Sequence, residues 1–306
     1  MIPHFISIAD VSVLDLQTVF ERSFALRELR QQGKRAEQIL ADKSLAMIFE
    51  KPSLRTRVSF EVAIGELGGH AIVLSNEEVG MGKRESAADV ARVLSGMVHG
   101  IIARVFEHQK LLDLAQFGSV PVINALSDHS HPVQALADVM TMMDEFGRDL
   151  KGRTIAFIGD GNNVARSLAI LCGKLGIRFV IACPQGYELE PEFAQRLQSQ
   201  VPGAKFEMTR DARAAVKNAD AIYTDTWVSM GQEDEAAHRK QAFTGYQINA
   251  DLLAAAPKHA IVLHCLPAYR GCEITDEAME GPRSRVFPQA HNRLHAQKGL
   301  LAAMYS

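Results

Sequence analysis

Ser53-Leu54-Arg55-Thr56-Arg57 places two hydroxyls and two guanidinium groups on what reads as the first turn of a helix, directly after an apolar strand at 45–49. Pro52 ends the strand, Ser53 supplies an N-cap, and the first-turn N–H groups have no intrahelical partner. A helix start of this kind is an anion site before any side chain is counted. Arginine adds a planar fork that engages phosphate oxygens in pairs, where lysine would give a point charge. Taken alone, the segment also reads as an ordinary capped helix with solvated arginines. Its place at the C-terminal end of a strand, where α/β sheets hold ligands, favours the functional reading. A second group is Ser130-His131-Pro132-Val133-Gln134. Pro132 suits the first position of a helix, so His131 lies at its cap and Gln134 one turn on, on the same side. A neutral imidazole and an amide suit a polar carbonyl and its amino group. His129 beside them suggests a metal pair, but no cysteine or carboxylate cluster completes a site, so no metal and no cofactor are expected.

These groups must be held by an α/β framework. Strands read at 45–49, 71–74, 101–105 and 120–124 alternate with helices at about 55–67, 86–97 and 107–117. A helix at 132–146 leads to a polar, glycine-bounded stretch at 147–152, the best domain boundary. The alternation then restarts, with strands at 154–158, 178–182, 206–208, 221–224 and 261–263, and helices at 164–175, 191–200 and 211–216. Such alternation is the signature of parallel sheets with crossover helices. The expected fold is therefore α/β, with two domains that each have a central parallel β-sheet flanked by helices, linked by two interdomain helices. The expected division is 1–147, 148–288 and a C-terminal helix at 289–306 that packs back on the first domain. A length of 306 residues suits two domains of about 150 residues each.

Composition narrows the function. Apolar residues make up 47% and charged residues 23%, an ordinary globular balance. A net charge of −3 gives no footprint for nucleic acid or an anionic membrane, and no apolar run approaches a membrane span. The four cysteines have no CxxC spacing and fit a reducing compartment. With no signal-peptide pattern at the N-terminus, the expected location is cytoplasmic.

Several blocks occur in a fixed order: Phe49-Glu50-Lys51-Pro52-Ser53-Leu54-Arg55-Thr56-Arg57, Ala103-Arg104, His131-Pro132-Val133-Gln134, Asp225-Thr226-Trp227-Val228-Ser229-Met230-Gly231 and His264-Cys265-Leu266-Pro267. Over essentially its whole length the chain resembles the ornithine carbamoyltransferases, within the wider aspartate/ornithine carbamoyltransferase family. The first three blocks are shared by the wider family, and the 225–231 block is far more specific to the ornithine branch. The resemblance implies transfer of the carbamoyl group of carbamoyl phosphate to the δ-amine of L-ornithine, giving L-citrulline and phosphate in arginine metabolism. It implies that Ser53, Leu54 (through its backbone), Arg55 and Thr56 hold the phosphate, and that Arg104, His131 and Gln134 bind the carbamoyl group. Asn163, Asp225, Ser229 and Met230 would hold ornithine, with Cys265, Leu266 and Arg293 completing that site. It further implies a homotrimer or a higher assembly of trimers. Three positions depart from the pattern: Leu54 for Thr or Gly, Tyr269 for His, and Gly80 where some relatives carry Gln in a loop that reaches a neighbouring subunit.

The implied chemistry needs no covalent intermediate, because carbamoyl phosphate is a mixed anhydride with a good leaving group. An ornithine-like amine of pKa about 10.4 is neutral in only about one molecule in a few thousand at neutral pH, so the site must help remove a proton. Negative charge develops on the carbamoyl oxygen, for which Arg55, Thr56, Arg104 and His131 are the candidate donors. Asp225 would pair with ornithine's cationic amines. Cys265 follows the strand at 261–263 and reads equally as a substrate contact and as a small buried apolar residue; it is assigned to contact, not to nucleophilic attack. One rival reading is a dinucleotide site at Gly159-Asp160-Gly161-Asn162-Asn163-Val164-Ala165, but the next strand ends without an acidic ribose partner. Others are a different acceptor amine, or a silent paralogue acting as a binding protein.

Overall fold

The computed structural model describes residues 2–228 and 233–306. They form two compact units, one comprising the chain up to Ala137 together with His291–Ser306, the other Asp138–Ala290. The division falls inside two helices, Pro132–Phe146 and Val286–Tyr305, the first of which precedes the polar stretch at 147–152.

The first unit is built on a parallel sheet of β1 (Ser44–Phe49), β2 (His70–Ser75), β3 (Gly100–Arg104) and β4 (Val122–Leu126), in the order β2-β1-β3-β4. Strand β3 is buried throughout and β1 is buried except at its two ends, as expected of strands covered on both faces. Ala46, Ile48, Ile101, Ala103 and Val122 meet Leu111 and Leu114 of the His108–Phe117 helix in one core. Strand β4 starts two residues later than the expected 120: Pro121 has no N–H for the ladder, and its carbonyl accepts from the Ile101 N–H at 2.8 Å. The chain start joins β4, with Phe5 bridging to Ile123. A helix at Val13–Gln31 was not expected. Its buried residues (Leu16, Val19, Phe20, Ser23, Phe24, Leu26) are interrupted by charges, and its clearest start signal is Ser12, whose Oγ accepts from the Asp15 N–H at 3.0 Å.

The second unit carries β5 (Thr154–Ile158), β6 (Arg178–Ala182), β7 (Phe206–Thr209), β8 (Ala221–Thr224) and β9 (Ile261–His264), all parallel, in the order β7-β6-β5-β8-β9. Ala156, Ile158, Val180, Ile222 and Val262 pack with Trp227 and Phe243 in its core. In each sheet the strand order reverses beside the first strand of the unit, between β1 and β3 and between β5 and β8. Crevices at the C-terminal ends of such strand pairs are where α/β sheets bind ligands. Among the described residues, no helix is long and apolar enough to cross a membrane.

Candidate active site

At the first switch point β1 runs out into 50–53 and the Leu54–Glu66 helix begins. Ser53 is its N-cap in extended conformation, with Oγ accepting from the Thr56 N–H at 3.3 Å. Thr56 is buried, and its Oγ1 accepts from Arg293 Nη2 at 3.0 Å. Arg293 Nη1 donates to Gln134 Oε1 at 2.6 Å, so one buried guanidinium ties the helix start to the next candidate group. Arg55 is half-buried, whereas Arg57 is exposed and pairs with Glu61 one turn on, at 3.0 Å. Of the two arginines in the motif, only Arg55 joins the cluster. Leu54 is 74% exposed, so its side chain contributes nothing to the protein core and only its backbone belongs to the helix start.

Arg104 ends β3 directly beside Phe49 of β1 and is buried. His131 is held by the preceding turn: Asn124 Nδ2 donates to Ser130 Oγ at 2.8 Å and to the Ile6 carbonyl at 2.9 Å, and Ser127 N–H donates to the Ser130 carbonyl at 2.9 Å. Burial, and then the positive charges of Arg293, Arg104 and Arg55, hold the His131 pKa well below the usual histidine value. The imidazole is therefore neutral and within electrostatic reach of three guanidinium groups. That is a site for an anion with a polar neutral end.

The second cluster stands at the C-terminal ends of β5, β8 and β9. Asp225, just beyond β8, is buried and receives three donors: Asn162 Nδ2 at 2.8 Å, the Thr226 N–H at 2.7 Å and the Cys265 thiol at 2.9 Å. Burial, then the Asp225 charge and hydrogen bond, push the Cys265 thiol well above its ordinary pKa, which makes it a protonated donor and not a thiolate. His264 Nδ1 accepts from the Leu266 N–H at 2.9 Å, so the Nε2 proton faces Glu273 Oε1 at 3.0 Å. Glu273 Oε1 also accepts from the Tyr269 N–H at 2.6 Å, and Leu266 takes a left-handed φ of 58° within this braced turn. Asp225, His264 and Cys265 present ligand atoms within 4.8 Å of one another. With both ring nitrogens of His264 engaged and the thiol protonated, these groups fit a hydrogen-bonded network better than a metal site.

Sequence reasoning passed over two residues here. Asn162 caps the Asn163–Lys174 helix through Oδ1, to Val164 N at 3.0 Å and Ala165 N at 3.1 Å, while its Nδ2 orients Asp225. Asn163 is the half-buried first residue of that helix. Arg239 is buried, stacks over Tyr187 (4.7 Å to the ring centroid), donates to the Trp227 carbonyl and pairs with Asp160. Burial raises the Asp160 pKa even against that pairing. Together these contacts fix 226–228, the approach to Ser229 and Met230, which themselves lie outside the described residues. Arg293, grouped by resemblance with the ornithine residues, stands with Thr56 and Gln134 in the first unit. Gly161, part of the dinucleotide-like run, has a different use: a Cβ there would lie 2.4 Å from Leu189 N, and its own N–H donates to the Tyr187 carbonyl at 2.8 Å. The glycine makes room for protein backbone.

Each parallel α/β unit carries a polar cluster at the switch point of its sheet, the place where such sheets bind ligands. The aspartate/ornithine carbamoyltransferase carbamoyl-P binding domain matches residues 3–144, and the Asp/Orn binding domain of the same enzymes matches residues 151–304. The chain belongs to the aspartate/ornithine carbamoyltransferase family. It is 49% identical to the ornithine carbamoyltransferase of Methanosarcina mazei over 296 residues, 97% of each chain. The solved ornithine carbamoyltransferase of Pyrococcus furiosus superposes with a TM-score of 0.94 at 46% identity, covering 98% of this chain and 96% of that one. That of Thermus thermophilus gives a TM-score of 0.90 at 40% identity over 100% of both chains.

Proposed function

We propose that this enzyme transfers the carbamoyl group of carbamoyl phosphate to the δ-amine of L-ornithine, yielding L-citrulline and phosphate. The observation that carries the reading is the neutral His131 set among Arg55, Arg104 and Arg293 beside a capped helix start. The phosphate of carbamoyl phosphate takes the first-turn N–H groups of 53–56 with the Ser53 and Thr56 hydroxyls and Arg55. Arg104, His131 and Gln134 take the carbamoyl end. The δ-ammonium first gives one proton to solvent. The neutral nitrogen then forms the new C–N bond, the C–O bond to phosphate breaks, and a second proton passes from that nitrogen to the departing phosphate oxygen, which leaves as hydrogen phosphate into the positive field that held it. Donors aimed at the carbamoyl oxygen lower the barrier because they are fixed before charge develops.

Ornithine's cationic groups are taken by Asp225, with Asn163, Ser229, Met230, Cys265 and Leu266 about them. Arg293 acts from the carbamoyl phosphate side, through Thr56 and Gln134. Support for ornithine as acceptor comes from the names of the relatives and from the carboxylate-centred second cluster, where the buried Arg239 is already taken up by Asp160 and the Trp227 carbonyl. The residues assigned here divide the labour between a carbamoyl phosphate domain and an ornithine domain. The enzyme works without a cofactor, in the cytoplasm, in arginine biosynthesis, as a trimer or an assembly of trimers. Arg55→Ala tests the assignment: the fold is retained and turnover falls by at least about 10². A near-normal rate would show that the anion lies elsewhere.

A further inference from the structure

Beyond Phe49 and Arg104 the β1–β3 ladder ends. Its last bond is the Glu50 N–H to the Arg104 carbonyl, at 2.9 Å. From there the two chains diverge, one to the helix start at 53–56 and the other to the His108–Phe117 helix. The Glu50 side chain takes over where the backbone stops. Its Oε2 accepts from the Phe106 N–H at 2.8 Å, as a strand carbonyl would, and its Oε1 accepts from Lys110 Nζ at 2.7 Å. The Glu50 side chain is 2% exposed and that of Lys110 16%, so the pair is shielded from water. The neighbouring Lys51 ammonium sits 4.0 Å from the centre of the Phe106 ring, a second tie between the same two segments.

We propose that the buried Glu50–Lys110 pair is a positioning clamp that sets the spacing between the phosphate arm (53–56) and the carbamoyl arm (Arg104), and so tunes affinity for carbamoyl phosphate. The proposal rests on the reading of this site as the carbamoyl phosphate site. Ser53 lies three positions on from Glu50, and Phe106 two positions on from Arg104, so a slip at the clamp passes directly to both arms. A compact phosphorylated substrate that must be gripped at both ends is sensitive to such a slip, since small misplacements cost large factors in rate and affinity. Neither residue touches the reacting atoms. The positive Lys110 acts through Glu50, and a lysine-to-arginine exchange keeps the charge that the carboxylate needs.

The test compares wild-type enzyme with Glu50→Gln, Lys110→Met, the double variant and Lys110→Arg, by calorimetric titration with carbamoyl phosphate and steady-state kinetics with ornithine. Wild-type binding and turnover of carbamoyl phosphate tests the functional reading on its own, and their absence would overturn both. Given that binding, the clamp predicts an approximately tenfold weaker Kd for carbamoyl phosphate in each single variant, with kcat at saturation and the KM for ornithine within about threefold of wild type. It also predicts a double variant no worse than either single one, and recovery in Lys110→Arg. An unchanged Kd in both single variants, or equal losses in kcat and in both KM values that track a lower Tm, would overturn it.

Discussion

His131 is a buried imidazole directly before the Pro132–Phe146 helix. The Pro132 signal put the imidazole at a helix cap, and the structure adds why it is neutral: burial first, then three nearby guanidinium charges. In the proposed reaction His131→Ala removes a donor to the developing oxyanion and is expected to lower kcat by about 10²–10³ with little change in Tm; retention of full turnover in a stopped-time citrulline assay would contradict the proposed role. Cys265 makes the opposite case. A thiol kept protonated by burial and by Asp225 is a hydrogen-bond donor, so Cys265→Ser, which keeps a donor, should hold kcat within about tenfold. A loss beyond 10³-fold would contradict the donor role and point to a nucleophile. Arg55, His131 and Gln134 were legible because capping and spacing are local. Asn162, Glu50 and Arg239 were not, because their partners lie far along the chain: Asp225 is 63 positions from Asn162, Lys110 is 60 from Glu50, and Asp160 is 79 from Arg239. Gly80 shows how a departure is accommodated. It sits at φ 64°, where a Cβ would come within 2.9 Å of the Arg84 Cβ, so a glutamine needs a different loop conformation.

At the scale of elements, the parallel strands were readable because both faces are covered and their residues are apolar nearly throughout. The Val13–Gln31 helix was not, since its buried residues are broken by charges and periodicity alone does not single it out. The C-terminal helix is fastened to the Leu54–Glu66 helix near both of the latter's ends, by Arg293 to Thr56 and by Lys298 Nζ to Glu66 Oε2 at 2.6 Å. Lys298 is 2% exposed while Glu66 is 29% exposed and also pairs with Arg30. The asymmetry has a measurable consequence. Glu66→Gln leaves a buried ammonium without its carboxylate and should cost about 3–5 kcal/mol in urea unfolding, whereas Lys298→Met removes the charge along with the partner and should cost clearly less. Equal losses would show that the pair is not buried in the working protein. Asn162→Ala removes a helix cap worth about 1 kcal/mol and one of Asp225's donors, and should raise the KM for ornithine while leaving that for carbamoyl phosphate near wild type.

For the whole molecule, the predicted assembly is a trimer, so light scattering should give three times the 33.6 kDa chain mass or a multiple of that value; a monomeric mass would contradict it. Two buried histidines contribute to its acid sensitivity. Burial lowers His131 well below the ordinary value, and burial followed by nearby Arg27, Arg30 and Lys298 lowers His295 to about 4. Both bind protons more readily unfolded, from about pH 6.5 downward. Their contribution is therefore whole above that pH and falls below it, that of His295 being lost as pH falls towards 4. The Tm should decline over that window, and His295→Gln should flatten part of the decline. The central claim concerns the acceptor. Carbamoyl phosphate supplied in parallel with ornithine, putrescine, aspartate and N-acetylornithine, with ureido product measured, is predicted to give by far the highest kcat/KM with ornithine; a preference for any of the other three would contradict it.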